Sequence, residues 1–219
     1  MIEFTILAFN FKKSTKNNHK NIFLAITMKT IKDFDKKEAI FQAMLELISK
    51  HGFHSSPMSE VAKQADVAAG TIYHYFKSKD ELICALYLRL REKFVENLFK
   101  TDDATKTFKD RFRHFYLQMI QEAIKNPKEF YFLEQFANSP FILTIAKTEM
   151  TRIEQPIYDF LRKAVFTQVL RDIPPKILIA FVMGSATSII KLQLSGEFQM
   201  NSSDLELAFF TCWDGIKKG

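Results

Sequence analysis

Glycine and proline are scarce in this chain, six of each in 219 residues. That scarcity argues against a turn-rich β fold and for helices. Cysteine is scarcer still: Cys84 and Cys212 stand alone, with no CxxC spacing. Two isolated thiols exclude a disulfide framework and fit a reduced, cytoplasmic protein. No phosphate-binding glycine loop, nucleophile elbow or paired-carboxylate signature is present, so no catalytic residue and no cofactor are expected. The five histidines, His19, His51, His54, His74 and His114, form no ligand-spaced set with cysteines or carboxylates on one helix face. No metal site is therefore expected, and His51 and His54, which straddle a helix end, read as surface residues.

The first 27 residues, MIEFTILAFNFKKSTKNNHKNIFLAIT, run from apolar to basic, the reverse of a secretory signal. Their apolar stretch is too short to span a bilayer, and no membrane association is expected. Residues 1–32 are expected to be an N-terminal extension, disordered or preceding the physiological start, with Met28 as the expected first residue of the native protein.

What the chain does have is a basic surplus, unevenly spread. Residues 1–79 carry 12 Lys/Arg against 7 Asp/Glu, and residues 80–219 carry 19 against 18. A basic N-terminal third is what a polyanion partner favours. Most of it lies in the extension, because residues 28–79 alone carry 8 against 6.

From residue 35 onward the periodicity is helical. Phe41, Met44, Leu45 and Ile48 recur at i, i+3, i+4 and i+7, which predicts one buried face over 36–50. Gly52 is placed to end that helix. Ser56 is expected to cap the next, 57–65, with Pro57 at its first position. Asp66-Val67-Ala68 forms a tight turn into a helix over 69–76. Ser78 and Glu81 make a capping box for a long helix to about Lys100. Further helices are expected at 105–125, 127–137, 141–170 with a break near Pro156, 174–195 and 203–217. The last is expected to start from a second capping box, Ser203 with Glu206. The segment 174–195 is apolar nearly all round, and Gly184, Ser185 and Ala186 would let another helix approach closely. The expected fold is all-α: a three-helix helix-turn-helix domain over 33–79, then a larger helical domain over 80–219.

Within the helix-turn-helix, Ile72 and Phe76 share an inner face with Ala69. Gly70, Thr71, His74 and Lys77 face outward, with Tyr73 and Tyr75 at the flanks. Gly70 removes a side chain where a helix must approach a surface closely. Thr71 can hydrogen-bond a base or touch a thymine methyl. Tyr73, His74 and Tyr75 offer donors to phosphate oxygens, and Lys77 and Lys79 offer charge. Ser56 is expected at a helix start whose N–H groups also meet phosphate.

The stretch MSEVAKQADVAAGTIYHYFKSKDELI, residues 58–83, resembles the TetR family of bacterial transcriptional regulators, and the likeness runs from about Lys36 to Leu86. Two positions depart from the family pattern: Asp66 replaces the usual turn glycine, and Ala68-Ala69 replaces a polar or basic pair. The resemblance implies a homodimeric repressor on a palindromic DNA operator, released by a small molecule bound in the C-terminal domain. It also implies dimerisation through the last two helices, for which 174–195 and 203–217 are suited. An apolar or aromatic ligand would suit Tyr116, Met119, Phe132, Phe136, Tyr158 and Phe181, with Glu134, Gln135 or Asn138 as polar anchors. Aromatic stripes at helical spacing equally fill a core. Two other classes stay open: a ligand-independent architectural DNA-binding protein, and a helical interaction protein that has lost DNA binding.

Overall fold

The computed structural model describes residues 34–145 and 147–219. The expectations for residues 1–32 and for Met28 fall outside the described residues. Among those residues the fold is helical throughout, with a single antiparallel bridge between Leu170 and Lys217. The chain divides into two compact units between Lys79 and Asp80.

The first unit contains α1 (34–51), α2 (Met58–Gln64) and α3 (Ala69–Tyr75). The predicted stripe of Phe41, Met44, Leu45 and Ile48 is buried, joined by Ile40, Ala43 and Leu47. Gly52 ends α1 at φ +75°, a conformation a Cβ would strain. Ser56 does not cap α2. Pro57 occupies the cap position, its carbonyl receiving the N–H groups of Glu60 and Val61 at 3.0 and 3.1 Å. Ser56 is instead fully buried and donates its hydroxyl to the Gly52 carbonyl at 2.9 Å. Proline at the cap costs nothing there, because the cap residue supplies a carbonyl and needs no N–H.

The second unit contains α4 (Lys79–Lys100), α5 (Phe108–Lys125), α6 (Pro127–Ala137), a 3₁₀ turn (Pro140–Thr144), α7 (Lys147–Phe166), α8 (Pro175–Leu194) and α9 (Ser202–Ile216). The centre is α5, which packs against α6, α8 and α9. Its buried Phe112, Phe115, Tyr116, Met119 and Ile120 meet Phe209, Trp213 and Leu178. A chain of ring contacts runs Phe99–Phe115–Phe160–Phe108–Phe112–Phe209, with centroids between 4.5 and 6.1 Å apart. Much of the phenylalanine wealth is thus structural filling.

Two expectations fail here. The helix expected over 141–170 is shorter, and it does not break at Pro156, which lies inside a continuous α7. Pro156 and Arg152, the residue whose carbonyl loses its partner, are both exposed. The last helix is capped by Asn201 and Asp204 and not by Ser203 and Glu206. The Asn201 side chain accepts from the N–H groups of Ser203 and Asp204, while Asp204 accepts from the Asn201 N–H. Glu206 instead pairs with Arg113 of α5.

The cap assignment is checked by stability. Asn201→Ala should cost about 1 kcal/mol in urea unfolding, and Ser203→Ala, at an exposed position in the first turn, should cost far less. Equal losses would return the cap to Ser203.

Candidate nucleic-acid interface and ligand cavity

A seven-residue helix is too short to be stable by itself in water, so α3 is held by its neighbours. Ile72 is fully buried and Phe76 nearly so. The Phe76 ring lies 5.5 Å from that of Phe41 on α1, and the Lys37 ammonium sits 5.6 and 5.9 Å from the two rings. The preceding turn passes through Asp66 at φ +53°, a left-handed conformation that Asp tolerates better than most residues. It is closed by the Val67 N–H on the Ala62 carbonyl at 3.0 Å.

With Ile72 and Phe76 turned in, α3 presents its other face. Gly70, Tyr73, His74 and Lys77 are exposed, and Thr71 and Tyr75 are half-buried. Tyr73 is 56% exposed, unusual for an aromatic ring on a packed helix. The Tyr75 ring is wedged between His74 and Phe76, at 5.5 and 6.4 Å. Ala69, expected on the inner face, is exposed, because the helix begins there and its first turn projects beyond the packing. Lys79 is half-buried and donates to the His54 carbonyl at 2.8 Å, tying the start of α4 to the loop after α1. Ser56, buried and bonded to Gly52, does not lie at an accessible helix start. Neither α2 nor α3 has a side-chain cap, so their first N–H groups receive no acceptor from that source.

Gly70 carries the most information. A Cβ built there would meet nothing within 4 Å, and its φ is not positive. Neither packing among the described residues nor backbone geometry asks for glycine, yet glycine in a helix destabilises it by roughly 0.5–1 kcal/mol relative to alanine.

In the larger unit a cavity of about 250 Å³ opens between α4, α5, α6 and α8, lined among others by Tyr87, Arg91, Met119, Glu134, Met183 and Thr187. A second, of about 70 Å³, lies between α4, α5, α7 and α8, and Phe94, Leu98, Met119 and Met183 border both. Of the expected ligand residues, Met119 lines both cavities, Tyr116 the smaller and Glu134 the larger. Phe132 and Phe136 line neither: they are buried one turn apart on the other side of α6, with Phe136 stacked 4.1 Å from Tyr87. Tyr158 is half-buried on α7 and borders neither cavity. Gln135 is exposed, and Asn138 closes the end of α6 by donating to the Glu134 carbonyl at 2.9 Å. Sequence reading missed Arg91. Its signal was a cation inside an otherwise apolar stripe, Tyr87, Leu90, Phe94 and Leu98, at helical spacing.

Phe181 lies on the outer side of α8, 49% exposed, with its ring about 3.0 Å from where a Cβ on Gly215 would stand. The close approach of α8 and α9 therefore occurs at Gly215. A Cβ on Gly184 would meet nothing within 4 Å. Leu178, Val182, Ala186 and Ile190 form the buried stripe of α8, while Ile177, Phe181 and Leu192 stay exposed, with Leu207 and Phe210 exposed on α9. By length and composition alone α8 is long and apolar enough to cross a membrane. One stripe of α8 is buried against the other helices of this unit, and most of the rest of the helix is exposed or half-buried.

Beside the smaller cavity, the Tyr116 hydroxyl lies 3.3 Å from the Ser185 hydroxyl, which donates to the Val182 carbonyl at 2.8 Å and lies 3.7 Å from the Cys212 sulfur. Burial pushes the Cys212 thiol and the Tyr116 phenol above their ordinary values, and the Ser185 contact offsets part of each shift. Both groups are thereby held neutral.

Comparison with known proteins agrees across the chain. Residues 40–86 match the family described as bacterial regulatory proteins, tetR family, and residues 87–218 match the tetracyclin repressor-like C-terminal domain. An uncharacterized HTH-type transcriptional regulator of Haemophilus influenzae is 30% identical over 84% of this chain and 97% of its own length. A TetR family transcription regulator from Marinobacter aquaeolei superposes with a TM-score of 0.78 at 20% identity, covering 87% of this chain and all of that one. A TetR-family transcriptional regulator from Haemophilus influenzae Rd superposes with a TM-score of 0.70 at 29% identity, over 84% of this chain and 98% of that one.

The raised thiol makes a pH prediction. In the unfolded chain Cys212 ionises near the ordinary 9.0, whereas in the fold it keeps its proton. Its contribution to stability is therefore complete below pH 9.0 and is lost as pH rises through the folded value. Unfolding free energy should fall above that pH, and Cys212→Ala should flatten the early part of the fall.

Proposed function

Because this chain belongs to the TetR family of bacterial transcriptional regulators and carries its helix-turn-helix, we propose that it is a homodimeric repressor, released from a palindromic operator by a small ligand. The observation that carries the reading is Gly70. An exposed helical glycine that packing among the described residues does not require is explained by a surface outside the chain, and α3 is the helix this motif lays in the major groove. Thr71 reads a base edge from the N-terminal end of α3, while Tyr73, His74 and Lys77 meet phosphate oxygens and set the register. Tyr75 and Lys79 hold the platform, since one is wedged between rings and the other bonded to His54.

Dimerisation uses the outer faces of α8 and α9. Ile177, Phe181, Leu192, Leu207 and Phe210 supply exposed apolar area, and Gly184 leaves room for a second backbone. The ligand occupies the cavity between α4, α5, α6 and α8. A transcriptional regulator from Bacillus subtilis, FadR, 17% identical with a TM-score of 0.64, has been crystallised with stearoyl-CoA, which supports an apolar chain as part of the ligand. Ligand on the wall of α4 shifts that helix and changes the spacing of the two reading heads. Coupling of this kind is reciprocal, so operator DNA lowers ligand affinity by the same factor.

Two outcomes are expected. Gly70→Ala should stabilise the protein by up to about 1 kcal/mol yet weaken binding to DNA from the protein's own upstream region. Chemical denaturation and fluorescence anisotropy, with scrambled duplex as control, read the two effects separately. Unchanged DNA binding would leave Gly70 without a role. Ile177→Glu should shift the protein to monomer in sedimentation velocity without lowering its helicity, and a persistent dimer would move the interface elsewhere.

A further inference from the structure

Resting on the reading that the larger unit binds a small molecule, we infer that its ligand is an uncharged carbonyl compound on an apolar chain, an ester or amide in preference to a free acid or a cation. The carbonyl oxygen accepts from Arg91, and the chain passes between Met119 and Met183 into the smaller cavity.

The charges on the wall decide the head group. Arg91, Glu122, Glu129 and Glu134 border the larger cavity. Each already has a counter-ion: Arg91 pairs with Glu154 at 2.6 Å, Glu122 with Lys125 at 3.2 Å, Glu129 with Lys93 at 2.7 Å, and Glu134 with Lys191. A carboxylate entering here would meet three glutamates and a guanidinium whose charge is already balanced. A cation would have to compete with lysines for glutamates they already hold. What remains is a hydrogen-bond donor. Among the described residues, the Nε of Arg91 is the sole buried side-chain nitrogen or oxygen without a hydrogen-bond partner. Its guanidinium is fixed by Glu154 at one end and lies 5.5 Å from the centre of the Phe94 ring. A buried donor left unmet is costly, so an occupant presenting an acceptor is favoured over an alkyl group. A carbonyl meets that need and adds no charge.

The shape decides the rest. The smaller cavity is walled by aliphatic and aromatic side chains, with Tyr116 the one that carries a hydroxyl, already in contact with Ser185. The two cavities share Met119 and Met183, flexible side chains that can turn aside to let a chain through.

The test is calorimetric titration of the full chain with methyl decanoate below its solubility limit, and with decanoate and decyltrimethylammonium below their critical micelle concentrations. Methyl decanoate should bind about tenfold more tightly than either ion, the factor one hydrogen bond to a charged donor supplies. Arg91→Lys keeps the charge opposite Glu154 but has no Nε–H, and it should remove that advantage while the thermal midpoint stays within a few degrees. Met119→Phe, which narrows the passage, should weaken methyl decanoate and spare methyl butanoate. Tighter binding of either ion, or an ester affinity indifferent to Arg91→Lys, overturns the inference and leaves ligand binding by the larger unit standing. If none of the probes binds, this inference and the ligand-released reading fall together.

Discussion

The burial of two side chains, Ile72 and Phe76, is the constraint on which the outward face of α3 depends. A helix of seven residues does not persist unsupported, and these two fix its rotation against α1. Once they are committed, 100° per residue leaves Gly70, Tyr73, His74 and Lys77 outside. The surface is thus a by-product of anchoring: the rotation set by the inner pair decides which residues face outward. The turn before α3 follows the same logic, since Asp66 accepts a left-handed backbone so that α2 and α3 can both reach the core.

The larger unit solves the opposite problem, burying a great deal and still leaving space. Stacked and tilted rings around α5 give a dense, chemically simple core in which phenylalanine supplies bulk without a polar atom to satisfy. The larger cavity lies at its margin, between α4, α5, α6 and α8. There the wall turns polar, and its charges are held in pairs across different helices: Lys93 of α4 to Glu129 of α6, Lys191 of α8 to Glu134 of α6, and Arg91 of α4 to Glu154 of α7. Such pairs contribute little net stability at a half-exposed mouth, but they fix how helices stand around it. A ligand that moves one helix has to rearrange pairs belonging to the others, which is a physical route from occupancy to a displaced α4.

The sequence alone determined a good deal about this protein. Periodicity set the helices and their order, Gly52 and Asp66 marked two turns, and the outward set on α3 followed from simple rotation. Family membership was legible in residues 58–83, because a recognition helix must combine a fixed inner anchor with a fixed outer display. Where two nearby residues could do one job, sequence reading chose wrongly. Ser56 and Ser203 were each read as caps, and the structure places Pro57 and Asn201 there, since a cap is decided by which residue leaves helical geometry. Pro156 stays within α7, because an exposed turn tolerates a lost hydrogen bond.

The cavity is what only the tertiary structure decided. Phe132, Phe136 and Phe181 share the composition of Met119 and Tyr116, yet two are core, one lies on the outer face, and the last two border open space. A helical pattern specifies which stripe is apolar and says nothing of whether the facing helix fits it closely or stands off by a few ångströms. Arg91 was hidden for the same reason. A cation in an apolar stripe acquires meaning only when Glu154, sixty-three residues away, holds one end of it and leaves the other without a partner.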